Sequence, residues 1–254
     1  MAPRRRPPLG RCLYCLASGV TLTEEHLIPK SLGGTRTLRD AVCEPCRVRT
    51  NRLEQATLDR EFVIARTLLA LKRRRARQPG PRHLPPLALA AGAEPVELDA
   101  ARYPRSFTLP MFAPPGLLAG IARGRTPARV DDVACRLQLG SPRHEATAAP
   151  PPLVDPFAQA WSIAKWAYGL AVAERGLACC DTDAIRALLN GERDDVFDFV
   201  GGCDPPGPPE RASLHSATLH ERDGWLVVRL NVLGSAGMAP YEVVIGRTAS
   251  SRAG

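Results

Sequence analysis

Apolar residues recur at helical spacing in two long stretches of this chain. In the first stretch, Leu58, Phe62, Ala65 and Leu69 stand three or four residues apart. Neither proline nor glycine interrupts residues 47–71. This spacing predicts one amphipathic helix over residues 47–71.

The second stretch, "DPFAQAWSIAKWAYGLAVAE" at residues 155–174, is apolar on most of its surface. Asp155 can cap a helix here, and Pro156 suits the first helical turn. We therefore predict a helix over residues 155–174 with Trp161 and Trp166 in the core. A shorter helix is predicted to start at Asp181 or Thr182.

Two β-rich runs in "SATLHERDGWLVVRLNVLG" flank Asp223 and Gly224, which is a hairpin signal. "YEVVIG" supplies a further strand. His215 and His220 flank a probable strand of this region and are expected to face solvent. Proline-rich stretches divide the chain. The fold class predicted is α+β: an N-terminal module at 1–77, a linker at 78–95 and a C-terminal α+β domain at 96–254.

The composition is that of a globular protein, with 44% apolar and 24% charged residues. No run approaches the ~18 apolar residues that a membrane-spanning helix needs. The first ten residues, "MAPRRRPPLG", are not followed by the apolar core of an export signal. We expect a cytoplasmic protein.

The formal net charge is +8, from 34 basic residues of which three are lysines. Much of the charge falls early in the chain, including the run "KRRRAR" at residues 72–77. This distribution favours a polyanionic partner such as nucleic acid. The alternative is a solvated basic surface.

Four of the eight cysteines form two C-x-x-C pairs separated by 27 residues. Without an export signal these thiols are expected to stay reduced. Four thiolates close the coordination sphere of a tetrahedral Zn²⁺ and leave no position open for chemistry, so the zinc would be structural. The predicted ligands are Cys12, Cys15, Cys43 and Cys46, the alternative being unrelated thiols.

Between the two pairs lies "EEHLIPKSLGG", which a purely structural zinc site does not require. The order C-x-x-C, E-H-x-x-P-K-x-L-G-G, C-x-x-C over residues 12–58 resembles the HNH endonuclease family with its ββα-metal fold. The resemblance implies hydrolysis of nucleic-acid phosphodiester bonds, with double-stranded DNA as the expected partner. It also implies a catalytic Mg²⁺ or Mn²⁺ beside the structural Zn²⁺.

By the same resemblance, His26 is the general base, Glu25 binds the catalytic cation, and Asp40 stands where the family has its middle asparagine. A neutral imidazole titrates near working pH and can take a proton from an attacking water. Neighbouring residues of a regular strand face opposite sides, however, so geometry alone places Glu24 on the His26 face.

Arg47 departs from the pattern, because the family usually carries an asparagine or histidine ligand after the last cysteine. A guanidinium ligates nothing. Asn51, one helical turn further, could ligate the cation instead, or Arg47 could itself hold the scissile phosphate. A third outcome is a degenerate module that binds nucleic acid without cutting it.

We therefore predict an HNH-type endonuclease, with a catalytically degenerate zinc-dependent nucleic-acid-binding module as the alternative. A protein-interaction module is a further alternative, against which the basic run argues. No nucleotide or hydrolase fingerprint marks the domain after residue 95, and its role is open. The residues expected to contact phosphates are Lys30, Arg36, Arg39, Arg49, Arg52, Arg73, Arg74 and Arg75.

Overall fold

The computed structural model describes nine ranges of the chain: 7–60, 62–71, 84–87, 93–99, 102–103, 106–127, 129–136, 155–204 and 212–248. Of residues 106–110 and 129–136 the backbone alone is described. The predicted basic residues Arg73, Arg74 and Arg75 lie outside these ranges. No helix within them is long and apolar enough to cross a bilayer.

The N-terminal segment folds as two antiparallel strands followed by a helix. Strand β1 spans Leu22–His26, β2 spans Thr37–Cys43 and helix α1 spans Glu44–Arg60. A 3-10 turn at Lys30–Leu32 leads towards β2. A Cβ on Gly34 would lie 2.0 Å from the carbonyl oxygen of Ile28, so only glycine fits at this close approach. The ββα order and the mixed fold class agree with the prediction.

The single helix predicted over residues 47–71 is wrong, because the structure has two helices. α1 ends at Arg60, and α2 spans Val63–Leu68. Phe62 between them is fully buried. The buried Arg66 donates from Nη1 to the carbonyl oxygen of Leu58 at 2.9 Å. That carbonyl is among the four that the end of a helix leaves without an intrahelical partner, so α2 folds back to cap α1.

The predicted helix at residues 155–174 is present as α4, which spans Pro156–Arg175. The Asp155 carboxylate accepts hydrogen bonds from the backbone N–H groups of Phe157 and Ala158, as expected of an N-cap. Every residue at positions 159–173 is buried. α4 is therefore the central helix of the described structure, covered on all sides.

The C-terminal region also contains the predicted hairpin. Strands β6 (His215–Arg222) and β7 (Trp225–Val232) pair antiparallel, and Asp223 and Gly224 between them both have positive φ. Two consecutive positive φ values are typical of the type I′ turn. The strand predicted from "YEVVIG" is β8 (Tyr241–Arg247).

Further elements of this region had no clear signal in the sequence. They are β3 (Ser106–Phe112), α3 (Gly116–Ala119), β4 (Arg129–Arg136), α6 (Val196–Phe199), β5 (Val200–Gly202) and a 3-10 turn at Gly234–Ala236. The short predicted helix is α5 (Asp183–Asn190), with Thr182 at the N-cap position. The described sheets are β1-β2, β3-β4 and β5-β8-β7-β6, all antiparallel.

α4 joins the N-terminal segment to the C-terminal sheet, since it contacts α1 on one side and β7 and β8 on the other. Buried apolar side chains from both regions form one continuous core. Thr57 donates a hydrogen bond to the carbonyl oxygen of Ala158 at 3.0 Å and accepts one from Ser162. The division into domains at residues 77 and 96 stays a prediction.

Candidate metal centre and nuclease site

The four paired cysteines converge at one corner of the N-terminal segment. The sulfur atoms of Cys12, Cys15, Cys43 and Cys46 all lie within 4.8 Å of one another, and those of Cys15 and Cys43 are 3.6 Å apart. Four sulfurs at 2.3 Å from a tetrahedral Zn²⁺ would be about 3.8 Å apart. The four thiols therefore fit a closed zinc site.

Local backbone structure places these thiols. Cys12 and Cys15 lie in a tight turn, in which Leu16 donates to the carbonyl oxygen of Cys12 and adopts a positive φ. Cys43 is the last residue of β2, and Cys46 lies in the first turn of α1. Each pair is thus set within a few residues of chain, which explains why spacing alone predicted it.

The environment of the thiols differs between the pairs. Burial opposes ionisation of Cys12, but backbone N–H groups of Cys15 and Cys43 outweigh it and lower the pKa of Cys12 to about 7. Burial raises the pKa of Cys43 and, more strongly, that of Cys46. A bound Zn²⁺ would supply the charge that keeps all four as thiolates.

Arg49 lies next to the cluster of Cys12, Cys15, Cys43 and Cys46, which we call the zinc corner. Its Nη2 donates to the sulfur of Cys46 at 3.3 Å and to the side-chain oxygen of Asn190 in α5. Asn190 in turn donates to the carbonyl oxygen of Tyr14 between the first two cysteines, at 3.4 Å. Arg49, predicted to contact phosphate, is thus turned towards a thiol and towards the C-terminal region.

The end of β1 presents two faces with different environments. His26 pairs across the sheet with Thr37, and the hydroxyl of Thr37 donates to the exposed carboxylate of Glu24 at 2.6 Å. Directly opposed residues share a face of the sheet, so Glu24 reaches the face of His26. The imidazole of His26 is half-buried and has no hydrogen-bond partner among the described residues.

Glu25 lies on the opposite face and is 5% exposed. Its carboxylate oxygen is 2.8 Å from the ammonium nitrogen of Lys165 in α4 and accepts a hydrogen bond from the phenol of Tyr14 at 3.0 Å. Burial, together with the charge of Glu25, holds the pKa of Tyr14 well above its usual value, so the phenol remains a donor.

The same ammonium reaches a second carboxylate. Lys165 Nζ lies 2.7 Å from Oε1 of Glu54 in α1, and that oxygen also accepts from the indole N–H of Trp166 at 2.7 Å. Burial lowers the pKa of Lys165, but the two carboxylates outweigh it and raise the pKa above its usual value. Lys165 is therefore charged.

These contacts bear on the catalytic cation that the resemblance implies. Mg²⁺ takes oxygen ligands at about 2.1 Å. The Lys165 ammonium already occupies the position from which a cation would touch both carboxylates. Apart from the four cysteines, no group of three or more His, Cys, Asp or Glu side chains converges among the described residues. As folded, the residues around Glu25 do not fit a divalent cation.

The other predicted residues around this site are more exposed. Arg47 is held by two hydrogen bonds to Glu44, one turn earlier in α1, and this pairing raises the pKa of Arg47. Asn51 is half-buried on the same helix. Asp40 is exposed and has a φ of 47°, a left-handed conformation that Asp and Asn tolerate better than most residues.

Four predicted phosphate contacts remain exposed on the N-terminal segment: Lys30, Arg36, Arg39 and Arg52. Arg36 forms an ion pair with Glu174 near the end of α4. Arg52 has no ion-pair or hydrogen-bond partner among the described residues. The side chain of Lys30 likewise has none there, so both Lys30 and Arg52 offer a free cationic group.

Sequence reasoning missed Lys165 and Tyr14, which contact Glu25, and Glu54, which contacts Lys165. One signal was present: a lysine inside an otherwise apolar helix, in a chain with three lysines. Nothing in the sequence showed which carboxylate that lysine would meet. The expectation that His215 faces solvent is wrong, because it is half-buried and its Nε2 is 2.8 Å from the carbonyl oxygen of Leu32.

Comparison with known proteins supports the N-terminal resemblance. The model of the HNH endonuclease family matches residues 12–63. No curated protein and no solved structure gave a significant match. Residues 12–63 are thus similar to the HNH endonuclease family in sequence, and they share its ββα order with four clustered cysteines.

Proposed function

We propose that this protein is an HNH-type endonuclease that hydrolyses phosphodiester bonds in nucleic acid, with double-stranded DNA as its substrate. The observation that carries the proposal is the family match over residues 12–63, which includes His26 at the end of β1. The imidazole of His26 has no competing partner among the described residues, so it is available to a water molecule.

The chain's own residues would act as follows. The imidazole of His26 takes a proton from the water that attacks phosphorus, which is the role of a general base. Glu24 lies on the same face of the sheet, where its negative charge would stabilise the imidazolium that forms. Lys30, Arg39 and Arg52 are exposed on the same segment and would bind the phosphates on either side of the cleaved bond.

The structural Zn²⁺ would hold this arrangement together. Cys43 ends β2 and Cys46 lies in the first turn of α1, so a zinc bound to both would fix the helix against the strand that pairs with β1. A segment this small has little core of its own, and a structural metal is a common substitute.

Plasmid nicking tests the proposal. Zinc-loaded wild-type protein, His26→Ala and the matched control His220→Ala are compared with Mg²⁺, with Mn²⁺ and without added metal. We expect His26→Ala to lower the nicking rate by about 10²–10⁴-fold while zinc content and DNA affinity stay unchanged. His220→Ala should nick like wild type. Equal rates for wild type and His26→Ala would refute His26 as the base.

A second candidate function is favoured by a specific observation. Glu25 is bound to Lys165, and Arg47, whose guanidinium ligates no cation, is bound to Glu44. This arrangement suits a zinc-dependent module that binds nucleic acid without cutting it. Wild-type protein that binds DNA but never nicks it, under any of the three conditions, would establish this second function.

Asn51 and Arg47 can be examined in the same assay. If Asn51 ligates the catalytic cation, Asn51→Ala should raise the Mg²⁺ or Mn²⁺ concentration needed for nicking. If Arg47 holds the scissile phosphate, Arg47→Asn should lower the rate at saturating metal. If Arg47 merely displaces the usual ligand, Arg47→Asn should keep or raise the rate, because an amide oxygen suits a hard cation.

A further inference from the structure

One buried polar cluster connects the N-terminal segment to α4. It consists of two carboxylates, Glu25 and Glu54, around the single ammonium of Lys165. The side-chain exposures are 7%, 12% and 3%, respectively. Tyr14 donates to Glu25, and Trp166 donates to Glu54. The ammonium, the phenol and the indole thus all direct positive or donor groups at the two carboxylates.

The choice of lysine at this position has a physical reason. An ammonium is a compact point charge with three donors, whereas a guanidinium is a planar fork suited to one carboxylate. Only three of the 34 basic residues in the chain are lysines, and one of them is placed here. The cluster therefore uses the basic side chain that most resembles a small cation held between two oxygen ligands.

The position of the cluster matters as much as its composition. Glu25 is the residue that the family resemblance makes the cation ligand, and Lys165 lies 140 positions further along the chain. The ammonium reaches Glu25 because α4 packs along α1, where Ser162 bonds to Thr57. The charge on Glu25 is thus neutralised from within the protein.

We infer that Lys165 is an internal counter-cation that takes the place of a divalent cation at Glu25 and, with α4 docked, keeps Glu25 and Glu54 from binding one. This inference concerns the site of the proposed nuclease and rests on that function. On this inference, the ammonium of Lys165 prevents a divalent cation from binding at Glu25. Removing the ammonium while keeping both carboxylates should open a site for a divalent cation.

The first test leaves Lys165 in place. Binding of Mn²⁺ to zinc-loaded wild-type protein and to Glu25→Gln is measured by the electron paramagnetic resonance signal of free Mn²⁺. We expect the two proteins to bind Mn²⁺ with the same affinity and stoichiometry, because Glu25 is already occupied. Weaker Mn²⁺ binding by Glu25→Gln would overturn the inference.

The second test removes the ammonium. Lys165→Met should bind about one Mn²⁺ more per chain than wild type, since two buried carboxylates then face each other without a charge partner. Mn²⁺ should raise the melting temperature of this variant by about 5 °C more than that of wild type. Lys165→Met/Glu25→Gln should lose both effects. Lys30→Met, which removes an exposed ammonium, is the matched control and should behave like wild type.

The outcomes separate cleanly. A folded Lys165→Met protein that gains no Mn²⁺ would overturn the inference. If that variant does not fold, as shown by circular dichroism and loss of zinc, the comparison of wild type with Glu25→Gln decides alone. Because cation binding is read without DNA, a failure of nicking refutes the nuclease proposal and leaves the cation result standing.

Discussion

The zinc corner and the end of β1 lie in the same matched segment, yet they differ in what determines their chemistry. At the zinc corner, four thiols set by local turns point at one another. At the end of β1, His26 and Glu25 point to opposite faces, and Glu25 is bound by a residue of α4. The first site is specified by short stretches of sequence, and the second by tertiary contacts.

The two sites should therefore respond differently to substitution. Loss of any one cysteine would open the coordination sphere of a bound Zn²⁺, so all four thiols are expected to be needed. At the end of β1, Glu25 is held in an ion pair that also joins the segment to the central helix.

The largest effect should come from breaking the zinc corner. Cys12→Ser combined with Cys43→Ser leaves two thiolates, so the protein should lose its single Zn²⁺ and the fold of residues 12–63 with it. Elemental analysis and circular dichroism measure the two losses. Cys179→Ser, which removes a half-buried thiol outside the cluster, should keep zinc. Full zinc content in the double variant would mean that these cysteines are not the ligands.

Breaking the ion pair at Glu25 should have a smaller but still large effect on the free energy of unfolding. Lys165→Met should lower the free energy of unfolding by about 3–5 kcal/mol at pH 7, because it leaves buried carboxylates without their counter-charge. Urea unfolding followed by tryptophan fluorescence gives the value. Lys30→Met should stay within about 0.5 kcal/mol of wild type. A loss below about 1 kcal/mol for Lys165→Met would show that the cluster contributes little.

The contact between His215 of the C-terminal region and Leu32 of the N-terminal segment should make stability depend on pH. His215 accepts from the backbone N–H of Leu233 at Nδ1, so its Nε2 carries the proton donated to Leu32. Burial holds the pKa of His215 below its usual value. The unfolded chain therefore binds the proton first, and stability should fall as the pH drops below about 6.5.

This dependence is measured by urea unfolding at several pH values between about 7 and 5. His215→Gln should flatten the fall, because the titrating group is gone. His220→Gln serves as the control and should keep the wild-type slope. An unchanged slope in His215→Gln would place the acid sensitivity elsewhere in the molecule.

The smallest expected effect is on the salt dependence of DNA affinity, in which two arginines of α1 should differ. Arg52 is exposed and has no described partner, whereas Arg49 is bound to Cys46 and Asn190. Arg52→Gln should reduce the slope of log affinity for DNA against log salt by about 0.9, the value for one phosphate contact. Arg49→Gln should leave that slope unchanged. Equal reductions in both variants would mean that Arg49 leaves the zinc corner to bind DNA.

Much of the architecture could be predicted from the sequence, for identifiable reasons. The four cysteines are paired by spacing, Asp155 and Pro156 mark the start of α4, and Asp223 with Gly224 forms the hairpin turn. Each of these signals acts over fewer than five residues of chain. Local signals of this kind survive whatever tertiary structure surrounds them.

The features that the sequence did not predict depend instead on contacts between residues further apart in the chain. The break between α1 and α2 depends on a side chain of α2, that of Arg66, reaching back to the carbonyl oxygen of Leu58. The burial of His215 depends on the 3-10 turn after β1. The environment of Glu25 depends on a helix that begins more than 100 residues later. Periodicity and spacing carry no information about such long-range partners.

The docking of α4 onto the N-terminal segment has a consequence for how the protein is made. Roughly a hundred residues separate the end of the matched segment from the start of α4. At about 5–20 residues per second, a ribosome needs roughly 5–20 s to add them. During that interval the nascent segment has all four cysteines and can take up zinc, but Glu25 and Glu54 have no lysine between them. The zinc corner can therefore mature during synthesis, whereas the charge at Glu25 is neutralised only once the central helix has been added.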